Sequence, residues 1–173
     1  DFREEDVKPY FSTDGVLKGA FAVASRLFKI QFAENSSLPT YHPDVRTFEV
    51  LDEAGEKVVG ILYIDYYARP SKRGGAWMSS FQVQHRLDTE TLPIVINVCN
   101  FPPPTDDKPS LLSSGHVKTL FHELGHALHG LLSSVQYPSL SGTSVVRDYV
   151  EFPSQLMENW GRDPEVVTQY ALH

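Results

Sequence analysis

The sequence predicts an α+β fold. A helical periodicity opens the chain, a block of alternating and continuous apolar runs follows, and a second helical block closes it. From Asp14 to Phe28, the residues Val16, Leu17, Ala20, Phe21, Ala24, Leu27 and Phe28 recur on one helix face, with Asp14 as the expected N-cap. Lys29-Ile30-Gln31-Phe32 alternates as a short strand, and turn formers fill Glu34 to Asp44. Val45–Leu51 and Lys57–Tyr67 read as strands joined in a hairpin through Asp52-Glu53-Ala54-Gly55-Glu56. The Tyr63-Ile64-Asp65-Tyr66-Tyr67 cluster is most simply strand packing. Arg69-Pro70-Ser71-Lys72-Arg73-Gly74-Gly75 is a basic loop, either solvated or facing a ligand. Pro93–Phe101 is a fourth strand, apolar throughout and suited to a central or covered position. The proline-rich run from Pro102 to Pro109 can be neither helix nor interior strand and serves as a stiff connector.

Composition narrows the function classes. Of 173 residues, 41% are apolar and the formal net charge is −7, which fits one globular unit over 1–173 and argues against a grip on nucleic acid. No uncharged apolar run approaches the roughly 18 residues a membrane span needs, so no membrane partner is expected. Cys99 is alone, within an apolar run, and reads as a small buried hydrophobe. The chain opens Asp1-Phe2-Arg3-Glu4-Glu5 without Met, basic n-region or apolar h-region, and reads as an internal piece of a longer protein. The compartment stays open, with the cytoplasm as default.

The chemistry lies beyond the connector. Val117, Leu120, Phe121, Leu124, Leu128, Leu131 and Leu132 form one apolar stripe of a helix that also carries His122-Glu123-x-x-His126. Residues four apart on a helix differ by only about 40° in azimuth, so both imidazoles can share one metal while Glu123 lies beside a metal-bound water without being a ligand. This is the zincin signature. A hydrolytic zinc site also needs a third protein ligand. His129 lies about 10 Å along the helix from His122, too far for one ion. Asp148, Glu151 and Glu158 lie on a second expected helix around Arg147–Trp160, with Pro153 near its first turn, and chemistry alone does not separate them.

The stretch His122-Glu123-Leu124-Gly125-His126-Ala127-Leu128-His129, together with Gly142–Trp160, resembles the thimet oligopeptidase family. Lys72-Arg73-Gly74-Gly75-Ala76-Trp77-Met78 and Arg147-Asp148-Tyr149-Val150-Glu151-Phe152-Pro153-Ser154-Gln155 most resemble its bacterial peptidyl-dipeptidases, also called dipeptidyl carboxypeptidases. The resemblance runs from about residue 14 to the end. It implies a zincin-like catalytic region in which a small sheet lies beside a metal-binding helix pair, within a larger and mostly helical fold split by a channel. It also implies one zinc ion per chain held by His122, His126 and Glu151, with Glu123 as catalytic base and short peptides as substrates. The family's downstream His and Tyr residues, which meet the substrate and its oxyanion, have no counterpart here; Tyr170 and His173 lie too close behind the motif. The remaining parts of the parent chain are therefore expected partners.

On this reading the function is zinc-dependent peptide hydrolysis releasing C-terminal dipeptides. The alternatives are an endo-acting oligopeptidase of the same family and an isolated zinc-binding piece without activity. Asp148 and Glu158 are candidates to orient the ligands from behind. Gly75 and Ala76 are candidates to line the substrate channel. Arg147 and Arg73 are the cations within the motifs that could meet a C-terminal carboxylate, although Arg147 beside Asp148 fits a structural ion pair better. A strand edge near the metal could hold peptide backbone by β-augmentation, and the sequence leaves open which strand. His116 is expected to be exposed.

Overall fold

In the computed structural model, which describes residues 3–173, a short helix α1 (Glu4–Val7) precedes the long helix α2 (Thr13–Phe28). The N-cap of α2 is Ser12 and not Asp14: the Ser12 hydroxyl accepts from the Gly15 N–H at 3.2 Å, while Asp14 sits in the first turn and pairs with Arg46 at 2.8 Å. Lys29 ends the helix in a left-handed conformation, φ 57°. That cap displaces the first strand, β1, to Gln31–Glu34.

Strands β2 (Arg46–Leu51) and β3 (Val58–Tyr67) form the expected hairpin. Its turn needs a glycine, because residue 55 has φ +74°, and Asp52 Oδ1 accepts from the amides of Glu56 and Lys57 at 2.9 and 3.2 Å. The structure then departs from the four-strand expectation. Trp77–Gln82 is an additional strand, β4, ahead of β5 (Ile94–Phe101). The sheet order is β1-β2-β3-β5-β4, with β3 and β5 parallel and the other pairs antiparallel. The apolar strand β5 is thus internal, and β4 is an edge.

Helix α3 (Ser114–Leu131), capped by Ser113 at 3.1 Å from the His116 amide, lies against β5, β4 and β3. Helices α4 (Phe152–Trp160) and α5 (Pro164–Tyr170) complete the layer. The core runs between α2, α3 and the sheet, through Val16, Ala20, Leu62, Val95, Leu120, Phe121 and Leu124. Cys99 is fully buried within it, and burial raises its thiol pKa. Asn97 on β5 is also fully buried, and its side-chain amide donates to the backbone carbonyl of Glu123 at 2.9 Å. One sheet residue thereby fixes the middle of α3.

The basic loop is exposed at Pro70, Ser71 and Arg73–Gly75 but is anchored through Arg69 and Lys72. Asp65, 2% exposed on β3, accepts two bonds from Arg69 (2.7 and 2.9 Å), one from Tyr41 (2.7 Å) and one from Lys72 (3.1 Å). The Lys72 ammonium also donates to the carbonyls of Asp65, Tyr67 and Cys99, closing the ends of β3 and β5. At the other end of the loop, Asn100 Nδ2 donates to the carbonyls of Arg73 and Gly75, both at 2.7 Å. The loop delivers Gly75 and Ala76 to the start of β4 in a defined position.

Burial pushes the Asp65 carboxyl upward, but the bonds from Arg69, Tyr41 and Lys72 outweigh it and leave the pKa at about 2. Because that lies below the unfolded value of about 3.9, the carboxylate contributes stability above about pH 4 and loses it as pH falls toward about 2. Its contribution is about 2–3 kcal/mol. Asp65→Asn should lower stability at neutral pH by about 3 kcal/mol, because Arg69 and Lys72 lose their counter-charge, and should lack that acid segment of the curve. Urea midpoints measured from pH 2 to 6 check this; parallel wild-type and variant curves would contradict it.

Candidate metal centre

Helix α3 presents His122 and His126 on one side, with Glu123 turned inward at 5% exposure. Helix α4 crosses close by. An added Cβ at Gly125 would lie 2.6 Å from Ser154 Cα and 2.8 Å from the Pro153 carbonyl oxygen, so only glycine admits this approach of two backbones. Proline at the start of α4 costs no helical hydrogen bond there. The approach puts Glu151, the residue before α4, against the two histidines.

Glu151 Oε2 lies 3.2 Å from His122 Nε2 and 3.1 Å from His126 Nε2, and one ligand atom from each of the three residues falls within 4.8 Å of the others. Ligands of a tetrahedral zinc at about 2.0–2.1 Å stand about 3.3 Å apart, close to the two spacings from Glu151. Glu158 Oε1 is 2.7 Å from His122 Nδ1. A proton donated there leaves Nε2 as a lone pair facing the Glu151 carboxylate, an arrangement that calls for a cation between them. The residues present therefore fit zinc or a similar divalent ion.

The electrostatics agree with that use. Burial holds the His126 pKa below its usual value, keeping the imidazole neutral as a ligand must be. The hydrogen bond from Ser154 Oγ (2.8 Å), with the two histidines, holds Glu151 below the usual carboxylate range. Burial raises Glu158, but the bonds to His122 and to Lys118 (3.1 Å) outweigh it and leave the group lowered. Glu123 differs: burial, opposed by His122 and reinforced by Glu151, pushes it up to about 7. Its Oε2 is buried with no protein partner among the described residues.

The other sequence candidates separate clearly. Gly75 and Ala76 line a cavity that also contains His122, Glu123 and Glu158. Asp148 is exposed and makes no hydrogen bond to the cluster among the described residues, because 147–150 form a turn and the helix starts only at Phe152. Arg147 is likewise exposed, and the expected Arg147–Asp148 ion pair is absent among the described residues; neither side chain is held in a helical register. His129 lies outside the cluster and lines a separate apolar cavity. His116 is half-buried against Phe101, with ring centroids 5.2 Å apart, rather than exposed as expected. Tyr170 is buried and its hydroxyl donates to the Gly161 carbonyl at 2.6 Å. Sequence reasoning missed Asn97, Lys118 and Ser154. Gly125 carried a signal in being a glycine in mid-helix, which marks close packing.

A helix with two histidines, a carboxylate delivered by a neighbouring helix and a buried glutamate between them is the constellation of a metallopeptidase. The comparison with known sequences is specific: residues 1–173 match peptidase family M3, and the chain belongs to that family. It is 48% identical over 171 residues to the dipeptidyl carboxypeptidase of Salmonella typhimurium, covering 98% of this chain and 25% of that protein. To the dipeptidyl carboxypeptidase of Escherichia coli it is 47% identical over 174 residues, covering 100% and 25%. Oligopeptidase A of Escherichia coli is 42% identical over 173 residues, covering 98% and 25%. The chain thus spans about a quarter of the length of these relatives.

The α3–α4 contact and its hydrogen bond set a measurable dependence. Gly125→Ala and Ser154→Ala should each weaken zinc binding by on the order of tenfold or more while far-UV circular dichroism stays helical. Competition against a zinc indicator checks this; unchanged affinity in both variants would contradict it.

Proposed function

We propose that this chain is the zinc-bearing catalytic region of a peptidase that releases dipeptides from the C-termini of short peptides. The observation that carries the reading is the convergence of His122, His126 and Glu151 beside the buried, high-pKa Glu123. The relatives called dipeptidyl carboxypeptidase, at 47–48% identity, support the exo-acting form; oligopeptidase A at 42% keeps the endo-acting form as its rival.

His122, His126 and Glu151 would hold one zinc ion per chain. When bound, zinc supplies Lewis acidity toward a peptide carbonyl and a more acidic water. Glu123 takes the proton from the attacking water and returns it to the departing amine, a task suited to a carboxyl that titrates near 7. Asn97, through the Glu123 carbonyl, and Glu158, through His122, keep these groups in place. The unpaired edge of β4, beside His122, Glu123 and His126, offers backbone N–H and C=O groups to an extended peptide.

We also read the chain as one part of a longer polypeptide of mostly helical fold. Its exposed apolar residues Leu140, Val146 and Phe152, at 59%, 71% and 57% exposure, support a covering partner of that origin, as does the quarter-length match.

Glu123→Gln should retain zinc and lower peptide cleavage by about 10²–10⁴-fold. Glu151→Ala should lose zinc instead. Mass spectrometry of an unstructured peptide incubated with the zinc-loaded chain, run beside the Gln variant, provides the test. Dipeptides shed from the C-terminus support the proposal, internal fragments favour the endo-acting reading, and cleavage unaffected by Glu123→Gln rules out Glu123 as the base.

A further inference from the structure

Two cavities meet at the metal cluster. One, of about 510 Å³, is walled by Gly75, Ala76, Asn100, His116, Lys118 and Thr119; the other, of about 330 Å³, lies beside Trp77, Met78, Thr143 and Val150. Antiparallel addition, the more stable pairing per residue, orders them along a bound strand. A peptide added antiparallel to the free edge of β4 runs with its C-terminus toward Trp77 and Gly75, so the residues after the scissile bond enter the larger cavity.

Among the described residues that line the two cavities, Lys118 is the only Lys or Arg. Arg147 and Arg73 line neither. Lys118 lies one helical turn before His122, about 6 Å along the axis, and two extended residues span about 7 Å. The two lengths are similar, and Lys118 lines the cavity that residues beyond the bond being cut would enter. The ammonium is also held in place: Lys118 Nζ is 3.1 Å from Glu158 Oε2, and the other oxygen of that carboxylate is 2.7 Å from His122 Nδ1. An ammonium has three donors, Glu158 engages one, and the side chain remains 44% exposed.

We propose that Lys118 is a specificity-determining residue that receives the free C-terminal carboxylate of the substrate, with the last two residues seated between it and the metal cluster. This rests on the peptidase reading above and names its exo-specificity. A bound carboxylate gains a charge-assisted hydrogen bond that a C-terminal amide or a continuing chain does not. Internal cleavage would place no carboxylate at Lys118.

The test uses the full zinc-loaded chain and one hexapeptide prepared as free acid and as C-terminal amide. The free acid should show a KM lower than the amide by on the order of tenfold. Lys118→Met should bring that ratio toward one, and Lys118→Arg should keep most of it. A role for Lys118 only through Glu158 and His122 would depress cleavage of both peptides alike and leave the ratio intact, which would overturn the proposal. So would a wild-type chain that does not distinguish acid from amide. Cleavage of neither peptide would fail the peptidase reading, and Lys118 is then judged by calorimetric binding of the dipeptide Ala-Phe and its amide. Acid-selective binding lost in Lys118→Met sustains the assignment, and absent or unselective binding overturns it.

Discussion

The contact between α3 and α4 at Gly125 is the constraint on which the site depends. A side chain at this position would hold the helices apart by the thickness of a methyl group, and Glu151 would withdraw from the two imidazoles. Two members of the candidate cluster, His122 and His126, are local to one helix and are set by the period of 3.6 residues. The third, Glu151, is supplied across a tertiary contact, so the candidate cluster comes together only where α4 packs on α3. Ser154, fully buried in that same contact, bonds both the carboxylate and the backbone carbonyl of Glu151. The residue that closes the interface is the one that aims the Glu151 carboxylate.

The sheet contributes the second half of the positioning. Asn97 reaches from β5 to the carbonyl of Glu123, and the Asp65–Arg69–Lys72 cluster pins the loop that brings Gly75 and Ala76 to the cavity wall. Charge is arranged in a sequence from surface to site, Lys118 to Glu158 to His122. The buried carboxylate of Asp65 has full hydrogen-bond satisfaction and stays ionised, whereas that of Glu123 lacks it and titrates near 7. Two buried carboxylates of similar exposure thus take opposite characters from their partners, one held ionised and one pushed upward.

Much of this was legible in the residues. The stripe from Val117 to Leu132 and the i, i+4 histidines are local patterns, so the sequence locates α3 and its motif without tertiary information. The third carboxylate was not separable by chemistry, since Asp148, Glu151 and Glu158 all appear on one expected helix. The structure shows why: residues 147–150 form a turn, so helical spacing does not apply to Asp148, and Glu158 faces His122 from behind. Strand β4 was invisible because Ser79, Ser80 and Gln82 carry little strand propensity and an edge strand needs no apolar alternation. The loop from Arg69 to Gly75 looked like surface because its counter-ion, Asp65, sat inside a run that reads as strand. Asp65 and Arg69 are only four residues apart, but the contact forms because the chain turns back on the end of β3, a turn that strand patterning does not show.

The cluster is built to bind one divalent ion where α3 meets the start of α4. A crystal of the zinc-loaded chain measured at the zinc absorption edge tests it most directly. One anomalous peak is expected about 2.0–2.2 Å from Nε2 of His122, Nε2 of His126 and a carboxylate oxygen of Glu151, with Glu158 still on His122 Nδ1. A peak bound elsewhere, or one that leaves Glu151 outside coordination distance, would contradict it.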